Sequence, residues 1–268
     1  MDFQTLLSNG ATLAPEILLT LDGPKRDLAI QFKGSRITGI GPLEDFPEAV
    51  SLPGRAIIPG FVDAHTHVGQ IFGKALIGGE PAQIWRRIWH PMERDMDEEQ
   101  SYLSAKWAFW EALRGGFTKL VNYGLNSPQK NAGVHRAALE TGIRFVSSTG
   151  LDEFSGEIGT GQGEKTWSEI EEVILAHIED CAGQEIITPS VCCSSFMGNT
   201  PETLTKLSSL CAEKGIILQI HCNEHFPEVH DSILRYGLRP TALLHKNHVL
   251  GPHVLLHHTT LSQSGRGK

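Results

Sequence analysis

The stretch Ala56-Ile-Ile-Pro-Gly-Phe-Val-Asp-Ala-His-Thr-His67 carries the strongest signal in the sequence. The apolar run Ala56–Val62 predicts a buried strand, and two histidines follow it at positions 65 and 67. Because side chains alternate along an extended chain, His65 and His67 are expected to point to the same side. Two imidazoles on one side can bind one metal ion. The stretch therefore predicts a metal site at the carboxyl end of a strand.

Beyond this stretch, apolar runs alternate with amphipathic runs. Strands are predicted over Thr118–Tyr123, Arg144–Thr149, Glu185–Cys193, Ile216–Cys222 and Val254–His258, and the main helices over Asp97–Arg114, Gln129–Thr141, Trp167–Cys181 and Pro201–Lys214. This alternation indicates an α/β fold with a parallel sheet and crossover helices. A barrel and a doubly wound sheet both satisfy the pattern.

The first 55 residues have a different pattern of apolar and turn-forming residues. Short apolar runs are separated by Gly23-Pro24, Gly34-Ser35 and Pro53-Gly54, which favour turns. The segment is therefore predicted to be a small antiparallel β unit, and residues 56–268 a separate α/β domain.

Four tryptophans at helical spacings, Trp85, Trp89, Trp107 and Trp110, are interpreted as mostly core residues. Trp85 follows the His65–His67 stretch closely enough to line the mouth of a pocket.

Two further strand ends carry histidine. Leu218-Gln-Ile-His221 is followed by Glu224, so a third imidazole and a nearby carboxylate complete a set suited to activating water and moving its proton. In Val254-Leu-Leu-His257-His258, alternation sends one histidine inward and the other outward. The inward one can orient water or bind developing negative charge. The alternative interpretation is that these histidines are buried structural residues and that Glu224 is a solvated surface residue. Histidines at three strand ends of one chain favour a functional site instead.

Composition narrows the function classes. The 268 residues include 23 Lys+Arg against 31 Asp+Glu, a net charge of −8, so a nucleic-acid binder is not expected. No apolar run approaches the roughly 20 residues of a membrane span, and the N-terminus does not read as a secretory signal. Five cysteines without a CxxC pair favour reduced thiols in a cytoplasmic protein.

The motifs, in this order, resemble those of the amidohydrolase superfamily, in the branch of cytosine-deaminase-like and triazine hydrolases and methylthioadenosine/S-adenosylhomocysteine deaminases. The resemblance covers nearly the whole chain and rests on Pro59–His67, Trp85 with Pro91-Met-Glu93, Glu111–Thr118, His221-Cys-Asn-Glu224 with Glu228-Val229, and Leu255-Leu-His257.

The resemblance implies a (β/α)8 TIM barrel, here incomplete with strands one to six, preceded by part of a small β-sandwich in residues 1–55. It implies a metal-dependent hydrolase of non-peptide carbon-nitrogen bonds in a small heterocyclic substrate, of the deaminase type, using metal-activated water. His65, His67 and His221 resemble the metal ligands, with Zn²⁺ expected first and Fe²⁺ as the alternative. Glu224 resembles the general acid/base, and His257 the histidine that contacts water or substrate. Homo-oligomerisation is left open.

Two departures from the family pattern shape the expectations. The family places an Asp ligand at the end of strand eight, beyond the last residue here, so the chain is expected to be a truncated product of an enzyme of about 450 residues, inactive by itself. The stretch Pro189–Cys193 lacks the histidine that often contacts substrate in this branch.

Two other classes stay open at this point. One is a non-catalytic homologue that keeps a metal- or small-molecule-binding fold. The other is a doubly wound nucleotide-binding protein, but Gly159, Gly161 and Gly163 do not lie between a strand and a helix and are predicted to form a loop.

Overall fold

The computed structural model describes residues 10–78, 84–124, 127–150, 152–154 and 164–261. The chain divides into two compact units, Met1–Gly60 and Phe61–Lys268. The predicted loop at 159–163 and the polar tail after Leu261 lie outside the described residues.

The first unit contains a small sheet. Over residues 10–60 its strands are β1 (Ala11–Thr20), β2 (Gly23–Lys25), β3 (Leu28–Lys33), β4 (Arg36–Pro42) and β5 (Val50–Ile57). The first four pair antiparallel in the order β2-β1-β3-β4, whereas β5 pairs parallel with β1. The predicted antiparallel unit is thus present, with one parallel pair added.

The prediction of one continuous strand over Ala56–Val62 is wrong. Ala56 and Ile57 end β5 in the small sheet, and a new strand begins at Phe61 in the second unit. Pro59 has no backbone N–H to give to a ladder, which explains why pairing stops between the two strands.

The second unit is built on a parallel sheet. Its strands in the described residues are β6 (Phe61–Thr66), β7 (Phe117–Asn122), β8 (Arg144–Thr149), β9 (Ile187–Ser194), β10 (Ile217–Cys222) and β11 (Val254–His258). They lie side by side in chain order, from β6 at one edge to β11 at the other. A doubly wound sheet reverses its strand order at a switch point. The sequential order therefore excludes that alternative.

The parallel sheet is strongly curled. His65 on β6 and His257 on β11 belong to opposite edges, yet their rings stack with centroids 3.9 Å apart. On the inner side, Gln219 Nε2 of β10 donates to the backbone oxygen of Asn122 on β7 at 2.9 Å. The prediction of an incomplete (β/α)8 barrel is confirmed.

Helices follow the strands. Those described are α1 (His90–Asp95), preceded by a π-helical turn over Trp85–Trp89, α2 (Glu98–Arg114), α3 (Pro128–Thr141), α4 (Trp167–Asp180), α5 (Pro201–Lys214), α6 (Phe226–Tyr236) and α7 (Pro240–Lys246). Four of them begin at a side-chain cap that accepts a backbone N–H of the first turn, from Asp97, Ser127, Thr166 and Thr200. These caps fix where each helix leaves its loop.

The burial pattern of β10 shows how the site residues come to face inward. Leu218 and Ile220 are fully buried in an apolar cluster that also contains Leu207 of α5. The residues between them, Gln219 and His221, must then point to the opposite, inner face. Burial of the apolar positions against the helices thus directs the polar ones into the barrel.

The interpretation of the tryptophans as mostly core is only partly right. Trp89 is buried, but Trp107 and Trp110 on α2 are 54% and 55% exposed. The buried face of α2 is formed instead by Ser101, Ser104, Ala105 and Phe109. Small side chains let the helix lie close to its neighbours, which leaves the two indoles on the other face.

Among the described residues, none of the helices has the length and apolar character needed to cross a membrane. All five cysteines are buried and none forms a disulfide, as expected for reduced thiols.

Candidate metal centre

His65 and His221 meet inside the barrel at the carboxyl ends of β6 and β10. Their Nε2 atoms lie 3.2 Å apart, and the ring centroids are 4.9 Å apart. His65 is positioned within β6 by Asp63, whose carboxylate accepts the His65 backbone N–H at 3.1 Å. The predicted pairing of the first and second histidine motifs is therefore present in space.

His67 lies beside this pair. Its ring is nearly parallel to that of His221, with an interplanar angle of 6° and centroids 5.4 Å apart. The Nδ1 atoms of His65 and His67 are buried without a hydrogen-bond partner. A buried polar atom without a partner is costly unless a ligand satisfies it. The chemistry of His65, His67 and His221 thus fits a bound metal ion.

Burial keeps these imidazoles neutral. Together with a smaller effect of neighbouring histidines, it lowers the pKa of His65 to about 4 and that of His67 to about 3. The pKa of His221 is lowered well below the usual range, again chiefly by burial. A neutral imidazole offers the lone pair that a metal ligand requires.

His257 is fixed by a hydrogen bond that also defines its tautomer. Gln219 Nε2 donates to a backbone oxygen, so Gln219 Oε1 must be the acceptor in its 3.1 Å contact with His257 Nε2. His257 therefore carries its proton on Nε2, and its Nδ1 keeps a lone pair. Burial lowers the pKa of His257 to about 3, so this neutral form persists at neutral pH.

Glu224 lies just after β10, at the same end of the barrel. Its Oε1 is 3.0 Å from His225 Nε2 and 3.7 Å from His258 Nε2. Its side chain is 28% exposed, so the carboxylate borders both the histidines and the solvent. The structure thus places a carboxylate next to the histidine group, as the sequence predicted.

The loop that carries Glu224 is held by a second, fully buried carboxylate. Glu228 accepts the backbone N–H of Asn223 at 3.1 Å and that of Glu224 at 2.9 Å. Ser195 Oγ donates to the same carboxylate at 2.5 Å. The backbone of Glu224 is therefore anchored directly to the first turn of α6.

His258 was not predicted as a site residue, because alternation places it opposite His257. In the structure its ring nevertheless lies among the others, with its centroid 5.0 Å from that of His221. The ring nitrogens of His65, His221 and His258 form a group in which all atoms lie within 4.8 Å of one another. The backbone of His258 has a positive φ of 67°, which the sequence pattern of a strand does not reveal.

Glu93 and Tyr123 were also missed as site residues. The Tyr123 ring lies 3.9 Å from that of His221, centroid to centroid. Burial raises the pKa of Glu93 to about 7, and Gln70 Nε2 donates to its Oε1 at 3.3 Å. Both have a sequence signal: Tyr123 directly follows β7, and Glu93 belongs to the Pro91-Met-Glu93 motif.

Gly124 explains how Glu93 approaches the histidines. It has φ +103°, and a Cβ there would lie 3.1 Å from Glu93 Oε1 and 3.6 Å from His67 Nδ1. A glycine is thus needed for both conformation and space.

Trp85, expected at the mouth of a pocket, lies close to the site. Its ring is stacked at 6.4 Å from that of His225, the neighbour of Glu224.

Curated relatives match most of the chain. A 5'-deoxyadenosine deaminase of Methanobrevibacter smithii is 29% identical over 254 residues, which is 91% of this chain and 55% of the relative. A 5-methylthioadenosine/S-adenosylhomocysteine deaminase of Syntrophobacter fumaroxidans is 28% identical over 263 residues, 94% of this chain and 57% of the relative. The chain therefore spans little more than half the length of the relatives it matches.

Solved structures share the fold. An adenosine deaminase from Xanthomonas campestris with bound zinc superposes with a TM-score of 0.75 at 17% identity, over 92% of this chain and 56% of that one. An atrazine chlorohydrolase from Arthrobacter aurescens in complex with zinc gives 0.77 at 18% identity, over 93% and 60%.

The profile of the amidohydrolase family matches residues 56–264, which include every histidine described above and Glu224. That match covers more than half of the sequence and the whole inner face of the described barrel. The chain belongs to the amidohydrolase family.

Proposed function

We propose that this chain carries the metal and proton-transfer site of a hydrolase that cleaves an exocyclic carbon-nitrogen bond of a heterocycle, releasing ammonia. The observation that carries the proposal is the convergence of His65 and His221, with Nε2 atoms 3.2 Å apart, beside the carboxylate of Glu224. The naming of its relatives as deaminases of adenine nucleosides makes such a nucleoside the first substrate to test.

The proposed ligands are His65, His67 and His221, with Zn²⁺ as the first ion to test and Fe²⁺ as the alternative. A divalent ion held there would supply Lewis-acid activation of water at neutral pH. The buried Nδ1 atoms of His65 and His67, which have no hydrogen-bond partner, support a ligand next to these rings.

Glu224 is proposed as the general acid/base. Water adds to the ring carbon that bears the amine, and Glu224 Oε1 accepts a proton from that water. The same oxygen then gives the proton to the amine nitrogen, so that the carbon-nitrogen bond breaks and ammonia leaves.

His257 is proposed to orient the water or the substrate. Because its proton is engaged with Gln219 Oε1, it acts through the lone pair on Nδ1 and accepts a hydrogen bond. Asn122 and Ser190 hold the amide of Gln219, so the imidazole is fixed before substrate arrives.

Two readouts test the function on the purified, zinc-loaded chain. The first is ammonia release from 5'-deoxyadenosine, methylthioadenosine and S-adenosylhomocysteine. The second is binding of a purine nucleoside with a tetrahedral hydroxyl-bearing carbon in place of the amine carbon, which does not require turnover. We expect metal-dependent binding of the analogue, and any ammonia release should fall by about 100-fold or more in Glu224→Gln.

Absence of both metal-dependent release and metal-dependent analogue binding would overturn the proposed function. Turnover by the isolated chain at ordinary rates would instead overturn the expectation that the chain is inactive by itself.

We also propose a cytoplasmic location, supported by five buried cysteines that form no disulfide, which suit a reducing compartment.

A further inference from the structure

His258 lies within reach of the same point as two of the proposed ligands. The ring nitrogens of His65, His221 and His258 are all within 4.8 Å of one another. The His258 ring centroid is 5.1 Å from that of His65 and 5.0 Å from that of His221. No other group of three or more metal-ligating side chains of this kind occurs in the described part of the chain.

The position of His258 departs from what its strand would give. His258 pairs in register with Cys222, which is buried in the apolar cluster under the helices. A regular strand would send His258 to that outer side. A φ of 67° at His258, followed by 52° at Thr259, breaks the alternation and brings the imidazole over the carboxyl end of the barrel.

This turn is held by hydrogen bonds on both sides. Thr259 N donates to the backbone oxygen of Cys222 at 2.9 Å, and Leu261 N donates to that of Asn223 at 3.0 Å. Arg239 Nη1 donates to the Leu261 oxygen at 2.9 Å. The backbone of His258 is therefore fixed by the loop after β10, the loop that also carries Glu224.

We propose that His258 is a ligand of the metal ion held by His65 and His221, an assignment that rests on the proposed function. A catalytic zinc site keeps one position for water, so His258 would either take the third protein position in place of His67 or join His67 around a five-coordinate ion. Its contact with Glu224 at 3.7 Å would then place the acid/base carboxylate next to a ligand.

The test is metal binding by the chain and four variants of it, one of which, His65→Ala, removes a proposed ligand and serves as the positive control. His258→Asn removes the imidazole but keeps a residue that tolerates positive φ. His258→Asp also tolerates positive φ and restores a ligating atom. His245→Asn is the matched control, since His245 is an exposed histidine on α7. Zn²⁺ affinity is measured in competition with a chromogenic chelator, and Co²⁺ reports the ligand set through its visible absorption.

We expect His258→Asn to bind Zn²⁺ at least about tenfold more weakly and to change the Co²⁺ spectrum, by comparison with the 10–100-fold losses typical of residues that only support ligands. His258→Asp should recover much of the affinity with a shifted spectrum, and His245→Asn should match the parent chain.

Parent-like affinity and spectrum in His258→Asn, with binding lost in His65→Ala, would overturn the role of His258 and leave the proposed function standing. Failure of the parent chain to bind either ion would overturn both. If His258→Asn does not fold by circular dichroism, His258→Asp decides, because an unshifted Co²⁺ spectrum means that residue 258 is not bound.

Discussion

The buried carboxylate of Glu228 illustrates how one side chain prepares the site without touching the histidines. It is 3% exposed and accepts hydrogen bonds from Ser195 and from two consecutive backbone N–H groups. Both N–H groups belong to the loop that carries Glu224. A carboxylate can accept all three bonds, whereas an amide in its place presents N–H groups on one side.

Glu228→Gln is therefore expected to lower the free energy of unfolding by about 1–3 kcal/mol, because at least one buried N–H loses its acceptor. Metal binding should be retained, since the histidines keep their supports, while any Glu224-dependent activity falls. Urea unfolding and metal titration check this, with Glu224→Gln as the variant that should leave stability nearly unchanged. Equal urea midpoints for Glu228→Gln and the parent would contradict the anchoring role.

At the scale of elements, α2 shows how a helix chooses its buried face. Phe109 is fully buried and meets Phe145 of β8 edge to face, with ring centroids 5.1 Å apart. Trp107, two residues earlier, is more than half exposed, although its Nε1 donates to Glu111 at 2.7 Å. Phenylalanine is more often fully buried than tryptophan, and the position along the helix decides which of the two rings faces the sheet.

We expect Phe109→Ala to lower the free energy of unfolding by about 3–5 kcal/mol, because it leaves a cavity between α2 and β8. Trp107→Ala on the same helix should cost less than about 1 kcal/mol. Chemical denaturation of the two variants side by side makes the comparison. Similar losses in both would mean that Trp107 is covered in solution.

The layer between the sheet and the helices also contains a half-buried histidine outside the site. His135 of α3 lies with Nε2 2.7 Å from Ser147 Oγ of β8. Its pKa is lowered from 6.5 to about 4, chiefly by burial and then by the neighbouring His177. The folded state therefore favours the neutral imidazole.

Since the unfolded chain binds this proton more readily, the stability contributed by neutral His135 is complete above about pH 6.5 and is lost as the pH falls toward 4. Replacing it by Gln should remove about 2 kcal/mol of the stability change between pH 7 and pH 4.5. Urea unfolding of the parent and His135→Gln at both pH values measures the difference. An equal loss of unfolding free energy between pH 7 and pH 4.5 in the two proteins would show that His135 does not titrate as expected.

For the whole molecule, the edges of the parallel sheet are the prominent feature. In the described residues, β6 and β11 each pair on one side only. Phe61 and Val62 on β6 are 52% and 57% exposed. An edge with free backbone groups and apolar side chains favours association with another chain.

The purified chain is accordingly expected to self-associate with rising concentration, and Val62→Lys should reduce this by placing a charge on the edge. Leu175→Lys on α4, also an exposed apolar position, is the control and should leave association unchanged. Sedimentation velocity over a range of concentrations gives the answer. A parent chain that stays monomeric throughout would refute the expectation.

Much of the fold was predictable because local patterns and tertiary packing agree in the barrel unit. Polar caps such as Thr166 and Thr200 mark the helix starts, and apolar strands alternate with the helices at regular intervals. The expectation failed at Ala56–Val62, where an apolar run passes from one sheet to another. Hydrophobicity reports burial but not the sheet in which a residue is buried.

The sequence by itself predicted the order of the elements and four of the proposed site residues, since His65, His67, His221 and Glu224 lie at or just after the carboxyl ends of apolar strands. Only the tertiary structure decided which histidine ring nitrogens lie within 4.8 Å of one another. His258 joins His65 and His221 through a left-handed turn that is fixed by hydrogen bonds to the loop after β10. Strand periodicity could not foresee this, because contacts between distant segments set the backbone conformation at that residue.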